Sequence, residues 1–356
     1  MSKYAAITGW GKCLPPTVLT NEQIATVIDT TDEWIRSRSG IRERRVSHVQ
    51  ASDLATVAGQ RALAAAGTEA GDLDLLIVAT CTPDTVIPST AAHVQRKTGA
   101  RKAAVFDLNA GCSGFVYGLT VATSMIRSGA YKKALVIGTE RITWFLNWSM
   151  RDTAVLFGDA AGAVVLEPSA EKSGLLFSHL GCEGDAAEIL QIPNFGTAGN
   201  RFVDNYGIFD VQFDGREIFR RAVKGMALET KIVMGELGLS DDDIDMIIPH
   251  QANRRIIESL AKHLSVDMSK VEMNIERYGN TSAASIPVAM VEALEAGRIR
   301  PGDNVLLAAF GAGLTRAAGL IRWGERTEPL ATTDVDLPVC NQTALEILGE
   351  AIKHTL

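Results

Sequence analysis

Apolar positions along the chain fall into short solid runs, separated by longer stretches with helix-like spacing. The segment Asp72-Leu-Asp-Leu-Leu-Ile-Val-Ala79 ends in an apolar block, and Asp243-Ile-Asp-Met-Ile-Ile-Pro-His250 repeats its form 171 residues later. Each follows an Ala- or Leu-rich stretch and an acidic turn, and each predicts a strand buried on both faces. A second pair lies downstream. Phe106 to Cys112 reads as strand and turn, and Ser113 to Ser128 as a helix closed by Gly129. Met273 to Asn280 reads as strand and turn again, followed by a helical run to Gly297. Both Cys112 to Gly129 and Asn280 to Gly297 span 17 residues. A glycine directly before Cys112 and before Asn280 suits a sharp strand-to-helix turn, and the closing glycines suit left-handed caps. Both helices lead into apolar strands, Ala134 to Gly138 and Asn304 to Ala309.

Two halves of alternating strand and helix predict a duplicated α/β fold, with halves at 1–170 and 171–324. Residues 325–356 form an extension. It opens polar and Pro-containing, Gly324 to Pro338, and closes on an amphipathic helix over Gln342 to His354.

Composition narrows the class. Of the 356 residues 46% are hydrophobic and 22% charged, which supports a packed core rather than disorder. The net charge of -7 argues against nucleic acid as a general partner. Five scattered cysteines without a C-x-x-C pair argue against a disulfide framework or a zinc site and suit a reducing compartment. No run approaches the ~18 apolar residues of a membrane span, and Met1 to Pro16 lacks signal-peptide organisation. A soluble cytoplasmic protein is expected.

The duplication brings three positions forward: Cys112 at a helix start, His250 at a strand end and Asn280 at the equivalent second helix start. Ligands of open α/β sheets bind at the carboxyl ends of strands. A thiol at a helix N-terminus gains from the dipole and free N–H groups, which favour thiolate. A histidine supplies a donor or base. Asparagine cannot titrate and suits a carbonyl oxygen that gains negative charge. These residue types also fit a cysteine protease. The other cysteines, Cys13, Cys81, Cys182 and Cys340, are expected to be small buried hydrophobes.

The wider sequence resembles the β-ketoacyl-acyl-carrier-protein synthase III family of the thiolase superfamily. The motifs are Thr31-Asp-Glu-Trp-Ile-Arg-Ser-Arg-Ser-Gly-Ile-Arg-Glu-Arg44, Asn109-Ala-Gly-Cys-Ser-Gly-Phe115, Phe157-Gly-Asp-Ala-Ala-Gly-Ala163, Pro249-His-Gln-Ala-Asn253 and Tyr278-Gly-Asn-Thr-Ser-Ala-Ala-Ser285. The resemblance implies a thiolase-type five-layered αβαβα fold, a homodimer and a decarboxylative condensation of acyl-CoA with malonyl-acyl carrier protein, without metal or redox cofactor. It casts Cys112 as nucleophile beside His250 and Asn280, with the backbone N–H groups of Cys112 and Ala312 as oxyanion donors. Trp34, Arg38 and Arg151 match positions that hold CoA adenine and phosphates. Thr30 and Asn253 match the pantetheine channel, and Phe157 a residue beside the nucleophile. Arg220 and Arg255 match carrier-protein docking positions, within a basic set that also includes Arg216, Arg221, Lys224, Arg254 and Lys262. Ile87 stands where acetyl-specific members place a large aromatic at the floor of the acyl pocket, contributed by the dimer partner. A medium-chain primer is therefore expected. The aromatic run Trp144 to Trp148 and the extension 325–356 depart from the short members. Two other chemistries stay open: condensation with a different acceptor thioester, and acyl transfer to oxygen or nitrogen without condensation.

Overall fold

The computed structural model describes residues 3–193, 196–197 and 211–356. Its centre is one sheet whose strands run in the order Met246–Pro249, Asn304–Gly311, Thr315–Arg322, Gly174–Cys182, Tyr4–Cys13, Ala160–Ser169, Ala134–Glu140, Leu75–Ala79 and Ala104–Leu108. The two halves meet in the middle, where Tyr4–Cys13 and Gly174–Cys182 pair in parallel at Ala5 and Gly174. Within the first half Leu75–Ala79 pairs in parallel with Ala104–Leu108 and with Ala134–Glu140. Within the second, Met246–Pro249 pairs in parallel with Asn304–Gly311. The solid apolar runs are the parallel strands, buried on both faces.

Five layers follow from how the helices cover this sheet. Helices Gly114–Arg127 and Ser285–Glu295 lie inside, sharing one core with strand residues of both halves such as Ile77, Val136, Ile248 and Leu307. Helices Ala51–Ala66 and Thr90–Thr98 cover the first half from outside through Leu54, Ala62 and Val94. Gly215–Leu237 and Arg254–His263 cover the second through Met226, Val233, Ile257 and Leu260. The architecture is the expected duplicated αβαβα arrangement.

Two local expectations are corrected. Met273 to Asn280 is not strand-like: Ile275–Tyr278 is a short helix, and the parallel neighbour of the second half shrinks to a single bridge between Ile247 and Val271. The extension does not end in one continuous helix. Ala344–Ile347 and Gly349–Thr355 are separate helices, with Leu348 between them. Ahead of them the chain lies along the first half. There Leu330 donates its N–H to Ala65 O (3.0 Å), Arg61 reaches Asp336 and Val335 O, and Pro338 O meets His48 Nε2 (2.9 Å). No helix of the described residues is long and apolar enough to cross a membrane.

Candidate active site

Cys112 lies in the 3-10 turn Gly111–Ser113 that carries strand Ala104–Leu108 into helix Gly114–Arg127. Gly111 has φ +54°, and a Cβ there would stand 2.7 Å from the Ala312 nitrogen. A Cβ at Gly311 would stand 2.6 Å from the Cys112 nitrogen. The two glycines let the turns approach until the backbone nitrogens of Cys112 and Ala312 sit in one crevice. Ala312 avoids positive φ; the described non-glycine residues that adopt it are Ser265 and Ser282. Alanine at 312 therefore keeps the backbone donor without strain.

His250 follows strand Met246–Pro249, its N–H donating to Ala308 O at 2.8 Å. Its Nδ1 lies 2.7 Å from Ser285 Oγ, which leaves Nε2 for the cavity. Asn280 is pinned by its backbone, N–H to Leu156 O (2.8 Å) and O from Gly158 N–H (3.1 Å). Its Oδ1 accepts from Ser282 N–H (2.9 Å), so the amide hydrogens remain to donate. Phe157 bridges Asn280 in parallel, which explains why the two motifs sit together. All of these line one cavity of about 710 Å³.

The other assigned positions divide. Trp34, Arg38, Asn253 and Arg255 line the same cavity. The Arg38 and Arg151 guanidiniums lie 5.2 and 4.3 Å from the Trp34 ring centre, and Arg151 also donates to Asp29 O (3.2 Å). Asn253 caps the helix Arg254–His263 and donates to Arg38 O (3.0 Å). Thr30 is not on the cavity wall, and its buried hydroxyl has no hydrogen-bond partner among the described residues. Ile87 is 86% exposed and away from the cavity of its own chain. Arg220 is off the cavity and paired with Glu217 (2.7 Å), while Arg221 and Arg254 are paired with Glu183 and Glu258 (2.5 and 2.7 Å). The basic set is thus partly neutralised. Of the aromatic run, Trp148 is fully buried and Trp144 lies under the Arg141 guanidinium at 4.6 Å; Ile142 is the nearby residue that reaches the cavity.

Electrostatics correct one expectation. Burial pushes the Cys112 thiol up to about 12, outweighing what the helix start offers a thiolate. Burial also takes His250 down to about 3, so its imidazole is neutral. A second correction concerns Cys81, which lines the cavity rather than filling a core. Its thiol donates to Glu140 Oε1 (3.2 Å) and lies 3.7 Å from Ser282 Oγ. Glu140 went unmarked in the sequence, Ser282 and Ser285 entered only as members of the motif Tyr278 to Ser285, and Cys81 only as a buried cysteine. The usable signal for Cys81 was register: Ala79 pairs with Leu108, so the residues after each strand emerge side by side.

The family model for 3-oxoacyl-[acyl-carrier-protein] synthase III matches residues 106–184, and the model for its C-terminal part matches 234–323. A β-ketoacyl-[acyl-carrier-protein] synthase III 2 of Vibrio vulnificus is 55% identical over 350 residues, covering 98% of this chain and 97% of that one. A β-ketoacyl-[acyl-carrier-protein] synthase III of Roseiflexus sp. is 51% identical over 328 residues, 91% of this chain and 99% of its own. The Vibrio match leaves room for most of the extension, whereas the Roseiflexus match does not. The crystal structure of 3-oxoacyl-(acyl carrier protein) synthase III from Pseudomonas aeruginosa superimposes with a TM-score of 0.85 at 39% identity, covering 91% of this chain and 99% of that chain. OleA of Xanthomonas campestris, at 22% identity and a TM-score of 0.80, shares the fold alone.

Proposed function

This chain belongs to the 3-oxoacyl-[acyl-carrier-protein] synthase III family, and from that premise we propose that it joins an acyl-CoA primer to malonyl-acyl carrier protein through an acyl-Cys112 intermediate. The Cys112 sulfur attacks the primer carbonyl, the oxygen takes its charge against the Cys112 and Ala312 N–H groups, and CoA thiol leaves. Malonyl thioester then enters the same cavity. Neutral His250 and the Asn280 amide donate to its thioester oxygen, CO₂ departs, and the resulting enolate attacks the acyl-Cys112 carbonyl. The β-ketoacyl thioester is released and the thiol restored. The reading calls for no metal or redox cofactor.

The observation that carries it is the meeting of Cys112, His250, Asn280 and Ala312 on one cavity wall. The donors fit because a neutral imidazole and an amide can stabilise an enolate oxygen without giving up a proton to it. Trp34, flanked by Arg38 and Arg151, suits an adenine with adjoining phosphates. Arg255, exposed beside the cavity, suits an acidic carrier. A homodimer in the cytoplasm completes the reading. Ile87 and Val86, 86% and 72% exposed, would then reach a partner subunit's acyl channel.

The test is mass spectrometry of Cys112 after exposure to a panel of acyl-CoAs, paired with CO₂ release from malonyl thioester. Cys112→Ser should carry no acyl group. His250→Ala and Asn280→Ala should still acylate but release CO₂ roughly 10²–10³-fold more slowly. Acyl label on Cys81 instead, or undiminished CO₂ release by both variants, rejects the scheme.

A further inference from the structure

The chain's extension ends beneath the residues that suit the nucleotide of CoA. The Arg151 guanidinium lies 4.3 Å from the Trp34 ring centre and donates to Asp29 O (3.2 Å). Asp29 and Arg151 are exposed and Trp34 is half-buried, so solvent surrounds much of this clamp. What holds it is the core below. Ile28, Ile35 and Ala154 are neighbours of Asp29, Trp34 and Arg151 along the chain, and all three belong to one apolar cluster.

The last two helices of the extension complete that cluster. Ala344 and Leu348 are buried in it, and Leu345, Ile347, Ala351 and Ile352 pack against it. One polar contact fixes how they sit. Trp148 N–H donates to Thr355 Oγ1 at 3.0 Å, while the Thr355 hydroxyl gives its own proton to Ala351 O (2.8 Å). From Trp148 the chain reaches Arg151 without slack. Ser149 N–H donates to Asn147 Oδ1 (2.9 Å) and Met150 N–H to Asn147 O (3.0 Å). Met150 O in turn accepts from Thr153 and Ala154 N–H (3.1 and 3.0 Å). Trp148 is fully buried, so a change in its seat is passed along this turn to Arg151.

We infer that the extension positions the nucleotide clamp: Thr355 and Leu348 hold the turn at Trp148, that turn sets Arg151 against Trp34, and the grip on the nucleotide end of acyl-CoA follows from it. Side chains already ordered lose less freedom on binding, so this preorganisation acts on affinity. The reacting groups stand elsewhere. Cys112 and Ala312 lie in the turns Gly111–Ser113 and Ala312–Leu314, outside the cluster that the extension completes. The extension therefore governs how strongly the primer is held and leaves the acyl-transfer step itself unchanged.

The inference rests on acyl-CoA being the primer, and the test separates the two. Acylation of Cys112 is followed by mass spectrometry against the concentration of octanoyl-CoA and of octanoyl-pantetheine, which lacks the adenine and its phosphates. Acetyl replaces octanoyl should wild type prefer it, and circular dichroism checks folding. Thr355→Val removes the acceptor for Trp148 N–H. It should raise the half-saturating octanoyl-CoA concentration about threefold, the effect of one lost hydrogen bond, at an unchanged limiting rate. Leu348→Ala loosens the packing beneath the turn and should raise it about tenfold, the effect of one charged contact no longer held. With octanoyl-pantetheine both variants should match wild type. In an Arg151→Ala background Thr355→Val should add nothing, because the arginine through which it acts is gone. Equal losses with the two donors would make the extension a support of the whole cavity, and a loss with neither would make it irrelevant to binding. Either result overturns the inference, as does an undiminished effect of Thr355→Val without Arg151. If Leu348→Ala fails to fold, Thr355→Val decides alone. A wild type whose Cys112 takes acyl from neither donor rejects the condensing reading and the inference with it. Wild-type acylation with an unchanged donor ratio in the variants rejects the inference alone.

Discussion

At His250 burial acts against the protonated ring, and the consequence is a pH-dependent stability. A folded-state pKa near 3, against an ordinary 6.5, means that the unfolded chain binds a proton over that window and the folded chain does not. Stability from this residue is therefore complete above pH 6.5 and falls as pH drops, by roughly 1.4 kcal/mol per unit. Asp159 opposes it. Its buried carboxyl, held by Ser47 N–H and Thr143, is raised to about 6 and loses stability as pH rises from its ordinary 3.8. Comparing wild type with His250→Gln cancels that term. Urea titrations at pH 6.5 and 5 should show wild type losing about 2 kcal/mol that His250→Gln retains. Equal losses in the two proteins would place the imidazole in contact with solvent. Residue types and spacing made Cys112, His250 and Asn280 legible. Nothing in the chain around Glu140 marked it, because its contact with Ser282 spans 142 residues.

Among the elements, the strands were legible and the extension was not. Leu75–Ala79 and Met246–Pro249 announce themselves because parallel strands covered on both sides must be apolar throughout. Ile275–Tyr278 did not, since four residues are too few to display a helical period. The extension's helices are short, and their value comes from where they dock. Ala344 and Leu348 enter a core with Leu19, Ile24, Ile35, Trp148 and Phe157, and Thr355 Oγ1 accepts from Trp148 N–H at 3.0 Å. Ile35 and Phe157 also line the cavity, so the extension buttresses one of its walls. Leu348→Ala should cost about 3 kcal/mol in a urea titration, in the range for a fully buried leucine. Leu356→Ala, at a position 66% exposed, should change it by under about 0.5 kcal/mol. Similar small effects from both would mean that the extension does not pack in solution.

For the whole molecule the open quantity is primer length. Acyl-pocket depth is set by what closes the floor, and in the proposed homodimer Ile87, exposed on its own chain, would act there across the interface. An isoleucine leaves room that a ring would fill. Each buried methylene contributes ~0.8 kcal/mol, so four extra ones favour a longer primer by roughly 3 kcal/mol, about two decades in kcat/KM. Octanoyl-CoA should be preferred over acetyl-CoA, and Ile87→Phe should reverse the order. An unmodified enzyme that uses acetyl-CoA as well as octanoyl-CoA would sink the expectation.

By itself the sequence determined the duplicated α/β plan and the three polar residues at matching turns. Both are written in local pattern: burial on two faces dictates apolar runs, and a sharp turn demands glycine. Tertiary structure alone decided the protonation of the site and the company Cys112 keeps. The helix start argued for a thiolate, but the thiol is buried, and desolvation outweighs a dipole. Such effects depend on which atoms meet when distant segments fold together, and no local pattern along the chain carries that information.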